Sequence, residues 1–241
     1  MTQSINTPVI SATIFYFDCE YSAKTSKKVL SILEKYDMFP PSKIHIGKLT
    51  KNRFVFANDK TPDLFIQGYC EKDVFGIDMA SGDSKTTPEY WRVDWGFTYY
   101  KNSRLTGSCK FKPWNTLTIQ STHGRLQNEV IEQNYISCIK DLIELLQPFY
   151  VSIDDLQNKL WIMEKANETH FAPGKVRTVY WGNYFGEDYC KLFDTSLLFC
   201  LPVHMIERIN GGVFFTLSDS VLKYKGLSID QLRNQIEKQL F

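Results

Sequence analysis

The apolar positions of this chain change their spacing several times, and each change predicts an element. From Ala12 to Cys19 the run Ile14-Phe15-Tyr16-Phe17 is continuous and rich in strand-favouring residues, which predicts an inner strand. Between Lys24 and Met38 the spacing becomes helical. Val29, Ile32, Leu33 and Tyr36 fall at i, i+3, i+4 and i+7, with lysines on the opposite face. Pro40-Pro41 ends that helix. Ser42 to Thr50 alternates Ile44 and Ile46 against Lys43, His45 and Lys48, as a half-buried strand does. Phe54 to Phe56 and Leu64 to Tyr69 read as short strands, separated by the turn-forming Asn58-Asp59-Lys60-Thr61-Pro62.

From Val74 to Ile119 the pattern is mostly β. Trp91 to Tyr100 is the clearest strand, Leu105 to Phe111 and Thr116 to Ile119 are further candidates, and Asn102 to Arg104 reads as a hairpin turn. The longest helix is expected from Leu126 to Gln147, where Ile131, Tyr135, Cys138, Ile139, Leu142, Leu145 and Leu146 form an apolar stripe that Pro148 stops. Asp154 to Lys165 predicts a short helix with Leu156, Leu160 and Met163 inward, although Leu160-Trp161-Ile162-Met163 fits a strand equally well. After a break at Ala172-Pro173-Gly174, Lys175 to Trp181 alternates like a strand, Gly186 to Phe193 like a short helix and Val213 to Leu217 like another strand. Ser228-Ile229-Asp230-Gln231 has the form of a capping box and opens a final helix with Ile229, Leu232, Ile236 and Leu240 on one face. The fold class is therefore α+β, mainly antiparallel sheet packed with a long amphipathic helix and several shorter ones. Residues 1–241 are expected to form a single compact domain, with residues 1–150 and 151–241 as the alternative lobes.

Composition narrows the function classes. The 241 residues are 43% hydrophobic and 23% charged, with a net charge of +1, so no global field favours nucleic acid, membrane or an acidic substrate. The aromatic fraction of 15% is high, which favours sheet surfaces or an aromatic contact face. Cys19, Cys70, Cys109, Cys138, Cys190 and Cys200 are dispersed without a C-x-x-C pair, as expected of free thiols in a reducing compartment. Met1 to Ser11 lacks the features of a secretory signal, and no apolar run is long enough to span a bilayer. A cytoplasmic protein is expected.

Local motifs for chemistry are missing. His45, His123, His170 and His204 are scattered and none has a histidine or cysteine at i+3 or i+4, so no metal, cofactor or catalytic residue is expected. Gly47-Lys48-Leu49-Thr50 lacks the upstream glycine and the adjacent Lys-Thr of a phosphate loop. Asp154-Asp155 reads as helix N-terminal charge, and Asp78 and Asp83 flank a turn at Ser81-Gly82. The stretch from Lys85 to Trp114 is more specific. It carries Lys85, Arg92, Lys101, Arg104, Lys110 and Lys112 against Glu89 and Asp94, interleaved with eight aromatic residues from Tyr90 to Trp114. Such a segment suits a sheet with aromatics inward, a protein-contact surface or a nucleic-acid surface. The contact candidates are Trp91, Arg92, Trp95, Tyr99, Tyr100 and Arg104. On one strand Trp91, Trp95 and Tyr99 share a face while Arg92, Tyr100 and Arg104 share the other, and the second set is expected in solvent.

Tyr180-Trp181-Gly182-Asn183, the aromatic-rich segment after it, and Gly211-Gly212-Val213-Phe214-Phe215-Thr216-Leu217 resemble the C-terminal part of immunity proteins from bacterial polymorphic toxin systems. Upstream, Leu145-Leu146-Gln147-Pro148-Phe149-Tyr150 followed by Ile153-Asp154-Asp155 is similar to the segment preceding that motif. The resemblance implies an α+β fold, no enzymatic activity, and tight binding of one cognate toxin in the cytoplasm during interbacterial competition. It implies structural roles for Trp181, Gly182, Asn183, Gly211 and Gly212. Nuclease antidotes are often acidic, and this neutral chain departs from that subtype. The expected function is an immunity-type protein, an antitoxin that inhibits a toxin by occlusion. Alternatives are an enzyme with a dispersed site such as Asp94, His123 and His204, and a nucleic-acid module using residues 85–114, although the rest of the chain lacks the basic excess of such a module.

Overall fold

A computed structural model describes residues 8–16, 23–38, 43–48, 52–56, 61–70, 74–82, 89–96, 115–159, 178–192 and 195–240. Its strands are β1 (Val9–Tyr16), β2 (Lys43–Lys48), β3 (Asn52–Phe56), β4 (Val74–Ser81), β5 (Trp91–Gly96), β6 (Asn115–Thr122), β7 (Tyr150–Asp155), β8 (Gly182–Phe185), β9 (Met205–Ile209) and β10 (Gly212–Thr216). They form one ten-stranded sheet in the order β3-β2-β4-β5-β6-β1-β7-β8-β10-β9. Every neighbouring pair is antiparallel. The helices are α1 (Ala23–Lys35), α2 (Thr61–Cys70), α3 (His123–Leu126), α4 (Glu129–Leu146), α5 (Glu187–Cys190), α6 (Thr195–Phe199) and α7 (Leu227–Leu240). The α+β, mainly antiparallel class read from the sequence holds. The boundary between the two possible lobes falls within β7, a strand bonded to β1 on one side and β8 on the other.

Strand register separates two chemically different faces. On one, Ile46, Ile77, Trp95, Leu117, Ile14, Val151, Tyr184 and Phe214 stand opposite one another from β2 to β10. All eight are buried, and α1, α2 and α4 cover this face. Phe65 of α2 packs on the Trp95 ring at 5.6 Å between centroids. The Trp95 indole N–H donates to the Tyr16 hydroxyl, so the largest core side chain buries its polar atom satisfied. Tyr135 of α4 donates to the carbonyl of Ile119, tying the long helix to the sheet centre.

The helix limits follow from caps. Asn128 accepts from the amides of Val130 and Ile131 to start α4, and Gln147, at φ 46°, ends it one residue before Pro148. Lys35 and Tyr36, at the end of α1, both bond Asp141 on α4 and hold the two helices together.

The segments around residues 180–183 and 211–217 singled out by resemblance lead into strands β8 and β10. Asn183 lies in β8, and its buried amide accepts from the amide of Tyr180 and donates to the carbonyl of the same residue. It closes the chain entry into β8. Trp181 is buried and donates to Ser218. Of the strand expected at Lys175 to Trp181, residues 178–181 are not strand and residues 175–177 lie outside the described residues; β8 begins at Gly182. Asn210 at φ 48° and Gly211 at φ 78° make the two-residue turn between β9 and β10, the left-handed pair that matches strand twist. Gly212 is needed for a different reason: a Cβ there would lie 2.4 Å from the Tyr184 hydroxyl and 2.5 Å from the Phe185 carbonyl oxygen.

Other expectations need correction. Leu64 to Tyr69 is helical, within α2, because Pro62 and Asp63 suit a first helical turn and Phe65 is drawn onto Trp95. Asp154 and Asp155 end β7, and helix begins only at residue 156. The strands β4, β7 and β9 had no individual sequence assignment. β7 is buried along its whole length and so shows no alternation. The expected Leu105–Phe111 strand and Asn102–Arg104 turn lie outside the described residues.

Asn183→Ala is expected to destabilise the protein by about 2 to 4 kcal/mol, because it strands two buried backbone groups. Gly212→Ala is expected to cost at least about 1 to 3 kcal/mol from the forced displacement of Tyr184 and the β8 backbone. Denaturant titration of each purified variant checks both.

Candidate functional site

The second face of the sheet carries the polar chemistry. A single row of opposed residues crosses seven strands: His45 (β2), Asp78 (β4), Asp94 (β5), Thr118 (β6), Thr13 (β1), Ser152 (β7) and Asn183 (β8). A parallel row holds Arg92, Gln120, Ser11 and Asp154. On a strand, residues two apart point the same way, so both rows belong to one surface.

At the β2–β5 end this surface is half-exposed and ionic. Arg92 Nε donates to Asp94 Oδ1 at 2.7 Å, and its Nη2 donates to Asp78 Oδ2 at 3.1 Å. His45 Nδ1 is 3.1 Å from the same Asp78 oxygen. Burial raises the Asp94 carboxyl above its ordinary range, against the opposing pull of Arg92. Burial also works against the Arg92 cation, but the Asp94 charge and hydrogen bond outweigh it and its pKa is raised. Asp78 and Asp94 face each other across β4 and β5, a like-charge pair held together by the guanidinium between them.

In the middle of the sheet the same surface is sealed. Lys159, at the end of the helical turn 156–159, is buried and donates to Thr13 Oγ1 at 2.8 Å and to the carbonyls of Ser11 and Ser152 at 3.2 Å each. All three ammonium hydrogens thus have acceptors, and burial pushes the pKa down to about 7 despite the Asp154 charge. Asp154 is fully buried. It accepts from the Asp155 and Trp181 amides, the Asn158 side chain and Arg233 of α7 at 3.1 Å. Burial still raises its pKa to about 6. Asp155 caps the following helical turn through the Gln157 and Asn158 amides and lies 3.7 Å from His123 Nε2. The acidic pair suggested charge at a helix start, which Asp155 supplies; the buried hub at Asp154 was not legible, since Trp181 and Arg233 are far away in sequence. At the β8–β10 end the surface becomes aromatic, with Phe185 against Tyr150, Tyr189 and Phe215 at 5.7 to 5.9 Å.

The sequence candidates divide accordingly. Trp91 and Trp95 are 3% and 1% exposed, on the helix-covered face, so they act as core. Arg92 stands on the opposite face with 40% of its side chain exposed, as the alternation required. Tyr99, Tyr100, Arg104 and Asp83 lie outside the described residues. The three groups of the dispersed-site alternative have separate surroundings. Asp94 is engaged with Arg92, and His123 lies beside Asp155 and edge-on to Tyr224. His204 lines an open groove of about 630 Å³ with Lys140, Trp181 and Ser218. Among the described residues no group of three His, Cys, Asp or Glu side chains is placed to hold a metal ion. Among them, too, no helix is long and apolar enough to cross a membrane.

The buried Lys159 makes stability depend on pH. Its pKa is about 7 in the folded protein and 10.5 for the free group, so between these values the folded state binds fewer protons than the unfolded one. Stability therefore rises with pH over that window, by up to about 1.4 kcal/mol per pH unit. Lys159→Met is expected to abolish that component, which denaturant titrations of both proteins at intervals from pH 7 to 10 will show.

No known protein family matches the sequence, and no curated protein is similar enough to count as a relative. Among solved structures, the fold is similar to that of Pseudomonas aeruginosa T6SS protein PA0821, with a TM-score of 0.66 at 12% identity. The similarity covers 97% of this chain and 73% of that one. At that identity the likeness is one of fold.

Proposed function

We propose that this protein is a cytoplasmic immunity-type protein, without enzymatic activity, that neutralises a cognate bacterial toxin by occluding it. The observation that carries the reading is the Arg92 cluster. Its guanidinium is clamped by Asp78 and Asp94 and still partly exposed, on strands whose other face is anchored in the core. An interface anchor of this kind is ordered before binding, so little side-chain entropy remains to be lost on contact. The mixed charge of the cluster favours a protein partner over a phosphate backbone, which would meet two carboxylates beside the arginine. Two further facts support the reading: the resemblance carried by residues 180–183 and 211–217, and the fold shared with a protein described as belonging to a T6SS.

The direct test is co-expression with the protein encoded beside this one. Restored growth and a co-purifying complex are expected; continued toxicity with no complex would reject the proposal. Arg92→Ala is expected to keep the fold and weaken that complex by about 2 kcal/mol, measured by calorimetric titration. Unchanged affinity would remove the Arg92 face from the interface.

A further inference from the structure

Among the described residues the sheet ends at β9, and no strand pairs with its outer edge. Ile209 and Gly212 flank the two-residue Asn210-Gly211 turn, so they form a hydrogen-bonded pair. Pairing alternates along an antiparallel ladder, which turns the amides and carbonyls of Met205, Glu207 and Ile209 toward β10. The other side of β10 agrees: the Leu217 amide reaches the carbonyl of Trp181, so the odd-numbered residues of that strand face β8. The backbone groups of Ile206 and Arg208 therefore point away from the sheet, at the end of the strand order.

Sheet edges are usually blunted by proline, charged side chains, a bulge or a covering element. β9 reads Met-Ile-Glu-Arg-Ile and pairs with β10 in unbroken register; it has no proline, Glu207 is held by Lys140, and Arg208 is the one charge on its other face. Beside it lies exposed apolar surface. Leu197 and Phe199 of α6 are 48% and 38% exposed, and the Arg208 guanidinium rests 4.7 Å from the centre of the Phe199 ring. Pairing capacity and apolar surface thus occur together at one end of the molecule.

We infer that β9 accepts an extended segment of the partner protein as an eleventh strand. The register argues against a second copy of this chain as the occupant. A two-fold antiparallel pair centred on Arg208 would set two guanidinium groups opposite each other, one centred on Glu207 would bring together two carboxylates that Lys140 already holds, and one centred on Ile206 would pair Arg208 with His204, whose amide is already bonded to Thr216. A foreign strand avoids these pairings. It would place an apolar residue opposite Ile206 and an acidic one opposite Arg208, both on the Phe199 side of the sheet. The inference rests on the proposed function for the identity of the partner. It concerns an edge at the far end of the strand order from Arg92, and so adds a separate contact.

The experiment uses the full chain and the toxin encoded beside it. Ile206→Pro removes the outward amide at an edge position where proline is tolerated, and leaves the bonds to β10 in place. Affinity is expected to fall about tenfold or more, because a carbonyl of the incoming strand loses its donor, while Ile206→Ala has a smaller effect. Hydrogen exchange on the unmodified chain gives a second readout that does not depend on the proline variant folding. The Ile206 and Arg208 amides should exchange fast when free and become protected in the complex. If the complex forms but both amides stay unprotected and Ile206→Pro binds normally, the edge inference fails and the proposed function stands. If the unmodified chain forms no complex, both fall. A dimer of the free chain that Ile206→Pro dissociates would overturn the inference in favour of self-pairing.

Discussion

The register of β1 between β6 and β7 is the constraint on which the rest of this structure depends. β1 alternates Ile10, Ala12, Ile14 and Tyr16 toward the helices with Ser11, Thr13 and Phe15 toward the other face. A slip of one residue would exchange the two sets, placing hydroxyls against α4 and aliphatic groups among charges. Because each strand is read from its neighbour, the polar row from His45 to Asn183 exists only while the register of every intervening pair is kept. The Arg92 cluster is thus a consequence of backbone pairing rather than of local sequence.

The sheet centre shows what this arrangement costs and what compensates for it. Lys159 and Asp154 are both buried, and both have pKa values displaced toward the neutral form by desolvation. Buried charges of this kind contribute little net stability, since desolvation offsets most of what their partners supply. Their geometry is nevertheless specific. The Lys159 ammonium can satisfy its three donors only if β1 and β7 are in register, and Asp154 joins β7 to the chain entering β8 and to α7. The polar centre therefore restricts how the C-terminal elements can dock, which the aromatic packing beside it would tolerate more loosely.

The surfaces left available differ in kind along the sheet. Near β5 the molecule offers preordered side-chain charge, and at β9 it offers backbone hydrogen-bonding groups beside exposed Leu197 and Phe199. Between them Lys159 and Asp154 are enclosed, with their donors and acceptors engaged by the protein itself.

Much of this was legible in the chain because it follows from short-range spacing. The period of 3.6 marked α1, α4 and α7, and alternation marked β2 and the opposite faces of Trp91, Trp95 and Arg92. Turn chemistry pointed to Gly211, whose positive φ is a local requirement. What the chain alone left open depends on partners distant in sequence. The helical state of α2 is selected by the docking of Phe65 on Trp95, and β7 lacks alternation because both of its faces are covered. The need for Gly212 comes from the Tyr184 ring, and the burial of Asp154 from an arginine on the last helix. Periodicity records which side of an element meets the core, and that is a property of the element alone. Which charges meet, and which edge stays open, is decided only when the strands are placed in order.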